Sequence, residues 1–117
     1  MNNVVTCVFS CSIYEKEIAT KVIKWCIEYF NLDCYSIRLE IKPYEDCCGS
    51  CTEGEKEHSY VIFVASDQPL RDFVATIVHE MIHVNQWETG KWEGDGEKEA
   101  EKLQYKLTDV LWKENVL

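Results

Sequence analysis

Positive charge and histidine are both scarce in this sequence, and long apolar runs are missing altogether. Twelve Lys and Arg stand against 21 Asp and Glu, a formal net charge of −9. That balance argues against duplex DNA or RNA as a partner, because phosphate binding draws on Lys and Arg. It argues equally against docking on an anionic membrane surface. No apolar stretch approaches the roughly 20 residues that a membrane-spanning helix needs. The opening MNNVVTCVFSC has neither a basic start nor a small-residue cleavage pattern. No secretion signal is therefore expected, and an intracellular, thiol-reducing setting is. Internal repeats and low-complexity segments are absent as well. With 117 residues, 46% hydrophobic and 28% charged, the chain reads as one globular domain over 1–117.

Cysteine is present in excess for such a setting. There are seven: Cys7, Cys11, Cys26, Cys34, Cys47, Cys48 and Cys51. An odd count rules out a complete intrachain disulfide framework. Cys7 and Cys26 fall in apolar segments and are expected to act as small core residues. CCGSC at 47–51 holds one C-x-x-C pair, Cys48 and Cys51, with Cys47 beside it. A structural zinc takes four ligands, normally two such pairs, and the nearest second pair, Cys7 and Cys11, lies along a strand end. A redox C-x-x-C normally opens a helix, which Gly49 and Ser50 do not signal. A loop of free thiols is expected here, with a second metal at Cys47, Cys48 and Cys51 as the alternative.

Periodicity divides the rest of the chain. VVTCVFS (4–10) is apolar and β-branched and reads as a buried strand. Ser12 and Glu15 make a capping box that opens a helix running to about Asn31, with Ile18, Val22, Trp25, Cys26 and Tyr29 on its apolar face. SIRLEIK (36–42) alternates strictly and is stopped by Pro43, a half-buried strand. Residues 43–58 read as a polar loop. SYVIFVA (59–65) is a third strand, either buried or an edge able to pair with a peptide backbone. Asp67 and Pro69 then start a helix over about 69–89, and a last helix follows over about 96–113. The expected fold is α+β, a small three-stranded sheet packed against helices in the order β-α-β-β-α-α.

Two of the three histidines lie four residues apart in HEMIH, at His79 and His83. On a helix that spacing stacks them on one face, with Cβ atoms roughly 5–6 Å apart. Their nitrogens can then meet one ion at about 2.0–2.1 Å, the zinc distance. Glu80 lies beside the metal, outside its ligand set, placed to take a proton from an activated water. Histidines satisfied in a core, or on a solvated face, are the plainer readings. Helix phase opposes the first: Leu70, Phe73, Val74, Ile77, Val78, Met81 and Ile82 share one wide apolar face, while His79 and His83 fall opposite, in line with Asp72, Thr76 and Gln86. A solvated face would fit that phase but needs no H-E-x-x-H order.

HEMIH in this setting resembles the zincin metallopeptidases. The downstream EGDGEKEAEKL is similar to the glutamate helix of their gluzincin branch, in which a glutamate just before a small residue is the third ligand. The element order resembles the minimal gluzincins of phages and bacteria. The resemblance covers about residues 59–112. It implies an active-site helix, a following glutamate helix and an edge strand that holds extended substrate. Leu103 stands where the thermolysin-like pattern has an aspartate supporting a histidine.

No histidine follows His83, so the third ligand must be sought among Glu88, Glu93, Asp95, Glu97, Glu99 and Glu101. Two arguments favour Glu99. The short loop between the last two helices sets them antiparallel, which brings Glu99 within a turn of the level of His83. In phase, Ala100, Leu103, Leu107, Val110 and Leu111 form the buried stripe, with Glu99 at its edge and Glu97 and Glu101 pointing further out. Tyr60, His58 and Tyr105 are the available oxyanion donors, although Tyr105 points away from Glu99. The expectation is thus a zinc-dependent hydrolase acting on a peptide or protein substrate, with one Zn²⁺ on His79, His83 and Glu99 and with Glu80 as general base. Two alternatives stay open: a silent zinc-binding module that holds a partner protein, and a cysteine-based sensor with a vestigial peptidase site.

Overall fold

The computed structural model describes residues 3–8, 12–44 and 46–117. The core role expected of the Cys7 side chain, and any pairing with Cys11, lie outside the described residues. Seven elements follow in chain order: β1 (Val4–Val8), α1 (Ile13–Phe30), β2 (Ser36–Lys42), β3 (Gly49–Glu53), β4 (Ser59–Ala65), α2 (Leu70–Thr89) and α3 (Glu97–Lys113). The α+β class is as expected, and both helices near the histidines begin and end within a residue of their expected bounds. The sheet, however, has four strands, in the order β1-β2-β4-β3. β1, β2 and β4 are mutually parallel, and β3 runs antiparallel to β4.

β3 is the strand that the polar-loop reading missed. GSCTE has no apolar alternation to announce it. Its backbone is recruited by the ladder of β4, with Gly49 opposite Val64 and Cys51 opposite Ile62. The consequence for β4 is direct. It pairs on both sides and is an interior strand, so the open antiparallel edge beside α2 belongs to β3.

Local chemistry sets the helix ends. Ser12 accepts the Glu15 N–H at 3.1 Å and so caps α1. Asn31 closes the helix in a left-handed conformation, with its N–H on Glu28 O and the Leu32 N–H on Ile27 O. Ile37, Leu39 and Ile41 of β2 are fully buried, as their alternation predicts. On α1 the buried face is Ile18, Ala19, Val22, Ile23 and Cys26. Tyr29 is instead exposed, stacked on the half-buried Trp25, whose indole N–H donates to Glu114.

α2 is the central helix, touching α1, α3, β3 and β4. Phe73, Val74, Ile77, Val78, Met81 and Ile82 bury one face against the sheet and α1. Its opposite side is buried too: Glu80, His83 and Gln86 are all enclosed. No helix is long and apolar enough to cross a membrane among the described residues.

All five described cysteines are free. Cys26 and Cys34 are sealed in the core, and burial, then Glu88 and Asp33, pushes the Cys34 thiol up to about 12. Thiol labelling read by peptide mass mapping is therefore expected to modify the exposed Cys47 and Cys48 in the native protein. Cys26 and Cys34 should react only after denaturation. Labelling of Cys26 at the Cys47 rate would mean that α1 does not pack as described.

Candidate metal centre

The site is built from one face of α2 and the first two turns of α3. Gly90 ends α2 in a left-handed conformation, with its N–H on Gln86 O at 2.8 Å. The short turn that follows brings α3 back antiparallel across α2. Gly96 sits at the start of α3 with φ +80°, and a Cβ there would collide with the Gln86 side chain. Only glycine fits this joint.

Three side chains converge across it. His83 Nε2 lies 3.3 Å from His79 Nε2 and 2.9 Å from Glu97 Oε1, and His79 Nε2 lies 3.1 Å from Glu97 Oε2. Each ring is oriented by its other nitrogen. His79 Nδ1–H donates to Gln104 Oε1 at 2.5 Å, and His83 Nδ1–H donates to Gln86 Oε1 at 2.9 Å. Gln86 is 2% exposed and its orientation is set in turn: Nε2 donates to Gly96 O and to Glu99 Oε1, each at 3.0 Å. With the ring protons on Nδ1, both Nε2 atoms present lone pairs to each other and to a carboxylate. Such a donor set calls for a cation at its centre. The 3.3 Å nitrogen separation matches the edge of a tetrahedron with ligands at the zinc distance, roughly 3.3–3.4 Å for Zn–N of about 2.0–2.1 Å. His79, His83 and Glu97 are the residues that would hold such an ion. They are the only group of three or more His, Cys, Asp or Glu among the described residues that could hold a metal.

Glu97 thus takes the place expected for Glu99. The physical reason is a rotation of α3. Its buried residues are Ala100, Leu107, Thr108 and Leu111, while Leu103 and Val110 are only half-buried. The polar but fully buried Thr108 had no weight in an apolar-stripe reading. Including it turns the buried face by roughly 50° and carries Glu97 and Gln104 to the cleft side. Glu99 keeps a part in the site, as the anchor of Gln86. Cys47, Cys48 and Cys51 do not converge: the first two are exposed, and Cys51 packs half-buried against the core.

Glu80 lies outside the ligand group, as its phase predicts. It is 5% exposed and makes no hydrogen bond among the described residues. Burial holds its carboxyl above the usual range, with His79 and His83 pulling the other way and Glu97 adding to the rise. A Cβ on Gly49 would stand 2.5 Å from Thr76 Cγ2 and 3.1 Å from Glu80 Oε2, so β3 presses its backbone directly over Glu80. In front of His79 and Glu80 opens a cleft of about 670 Å³. Tyr105 lines it, despite its unfavourable phase, and so does Tyr44. His58 and Tyr60 are elsewhere. Both donate to Glu88 near the end of α2, His58 Nδ1 at 2.8 Å, and Tyr60 stacks on Trp87.

Compared with protein-family models, curated proteins and solved structures, the chain matches none. The reading of the site rests on its own geometry.

Of the two glutamines that orient the rings, Gln86 stands on the polar stripe read from the sequence but was given no role there, and Gln104 was not singled out. Gln86 stands three residues after His83 and Gln104 seven after Glu97, spacings that put them on the site face once the ligands are known.

Two outcomes are expected. Glu97→Ala should weaken zinc binding far more than Glu99→Ala in a competition titration, while Glu99→Ala should produce a smaller loss through Gln86. Equal loss in both variants would contradict the ligand set. Away from this group, the hydrogen bond to Glu88 raises the His58 pKa. The stabilisation from that pair is then complete below the unfolded value of about 6.5 and disappears as pH rises through the folded pKa. Urea midpoints of the native chain and His58→Ala should differ at pH 6 and draw together at pH 9.

Proposed function

We propose that this protein is a zinc-dependent hydrolase, most simply a small metallopeptidase of the gluzincin kind, acting on a peptide or protein substrate. The observation that carries the reading is the convergence of His79, His83 and Glu97, with Glu80 following His79 and these two lining one open cleft. Zinc, when bound, supplies a Lewis acid that lowers the pKa of a coordinated water and polarises a carbonyl.

The chain's own residues do the rest. Gln104 and Gln86 hold the two imidazoles in the ligating tautomer. Glu80, shielded by β3, accepts a proton at its carboxylate and returns it to the leaving amine. Tyr105 lines the cleft with a hydroxyl available to a developing oxyanion, whereas the Tyr44 hydroxyl already donates to Asp46 O at 3.3 Å. The open edge of β3 beside Glu80 can pair with the backbone of an extended substrate. The free cysteines fit a reducing, intracellular compartment.

Glu80→Gln should retain one equivalent of zinc and lose hydrolysis by at least the roughly 10²–10⁴-fold associated with general acid–base catalysis. Gln keeps the shape but cannot take the proton. Zinc content is measured by elemental analysis, and turnover by a peptide-library digest. Undiminished cleavage in Glu80→Gln would sink the mechanism. Zinc bound with no cleavage of any library member, together with stable capture of a protein, would favour a silent binding module.

A further inference from the structure

The cleft before His79 and Glu80 carries a charge of one sign. Besides Glu80 it is lined by Asp67 and Asp72, with no Lys or Arg among its lining residues. Among the described residues neither aspartate enters an ion pair, and Asp67 has only the weak contact from Ser66 Oγ at 3.4 Å. Asp67 is held with φ +63°, its N–H on Glu15. Asp72 lies on the first turn of α2, seven residues before His79. That is roughly 10 Å along the helix axis, the reach of about three residues of extended chain. Tyr44 and Tyr105 line the same space and are largely exposed to it. Aromatic faces and carboxylates together form the ordinary environment of a bound cation. Glu80, 5% exposed as a residue and without a hydrogen bond among the described residues, opens its carboxylate onto the same cleft.

We propose that this cleft selects a peptide bearing a cationic group about three residues from the reacting bond, with Asp67 and Asp72 as the residues that determine the preference. The group is an ammonium or guanidinium, from a Lys or Arg side chain or from a free α-amine. The proposal deepens the hydrolase reading by naming its substrate class, and it rests on that reading for the direction of the cleft. A helix-capping role alone would explain an acidic residue at Asp72, but it would place no charge requirement on a ligand.

The test is binding, so that it does not depend on turnover. Acetylated, amidated alanine hexapeptides with Arg, Lys, Glu or Ala at each position in turn, and the unacetylated alanine hexapeptide, are titrated calorimetrically into metal-free and zinc-loaded protein. An Arg or Lys peptide should bind about tenfold tighter than its alanine parent. Asp67→Asn and Asp72→Asn, checked for native circular dichroism, should each reduce that preference without altering zinc content. Preference confined to the unacetylated peptide would identify the α-amine as the source. Binding indifferent to charge, no binding at all, or a cationic preference that survives both Asn variants would overturn the proposal, even if zinc binding and hydrolysis stand. A cationic preference in a protein that takes up no zinc would uphold the cleft's selectivity and remove the hydrolase reading instead.

Discussion

Each of the two imidazoles at the centre of this protein is tied by one hydrogen bond, from Nδ1 to a glutamine carbonyl oxygen. A histidine left to spin would offer its second ring nitrogen as donor or acceptor indifferently. Gln104 and Gln86 remove that freedom and turn both lone pairs to one point, where Glu97 meets them. The glutamines are themselves constrained. Gln86 spends both amide protons on the α3 joint, at Gly96 O and Glu99, so the orientation of His83 depends on how α3 returns across α2. Ligand geometry and helix packing are one constraint here, since loosening the joint would release the ring.

The same constraint explains why α2 is enclosed on nearly every side. An ordinary amphipathic helix keeps its polar stripe in water. Here the sheet and α1 take the apolar face, while α3 and the edge strand β3 close over the polar one. Buried polar groups are tolerated only when paired, and the side chains on this stripe divide accordingly. His83 and Gln86 find partners in the α2–α3 joint. Glu80 finds none among the described residues, and its carboxyl is held above the usual range by burial under β3. No buried side-chain oxygen among the described residues is left unpaired, so the Glu80 carboxylate meets the cleft that the residue lines.

HEMIH was readable because its information is local: a spacing of four on a helix has one geometric meaning wherever the helix is put. The alternation of β2, the Ser12 cap and the bounds of α2 and α3 were readable for the same reason. Three features were not. β3 has no pattern of its own and exists because β4 offers it a ladder. Glu97 could be told from Glu99 only by the rotation of α3, and that rotation turns on a buried threonine. Gln104 becomes meaningful only when α3 lies against α2. The sequence by itself determined the local geometry of the histidine pair, the general class of the fold and the acidic character of the chain. Tertiary structure decided which carboxylate completes the group, which strand is the edge and which tyrosines share the cleft. Those depend on how one element is turned against another, and that is settled by packing across the whole core rather than by any run of neighbouring residues.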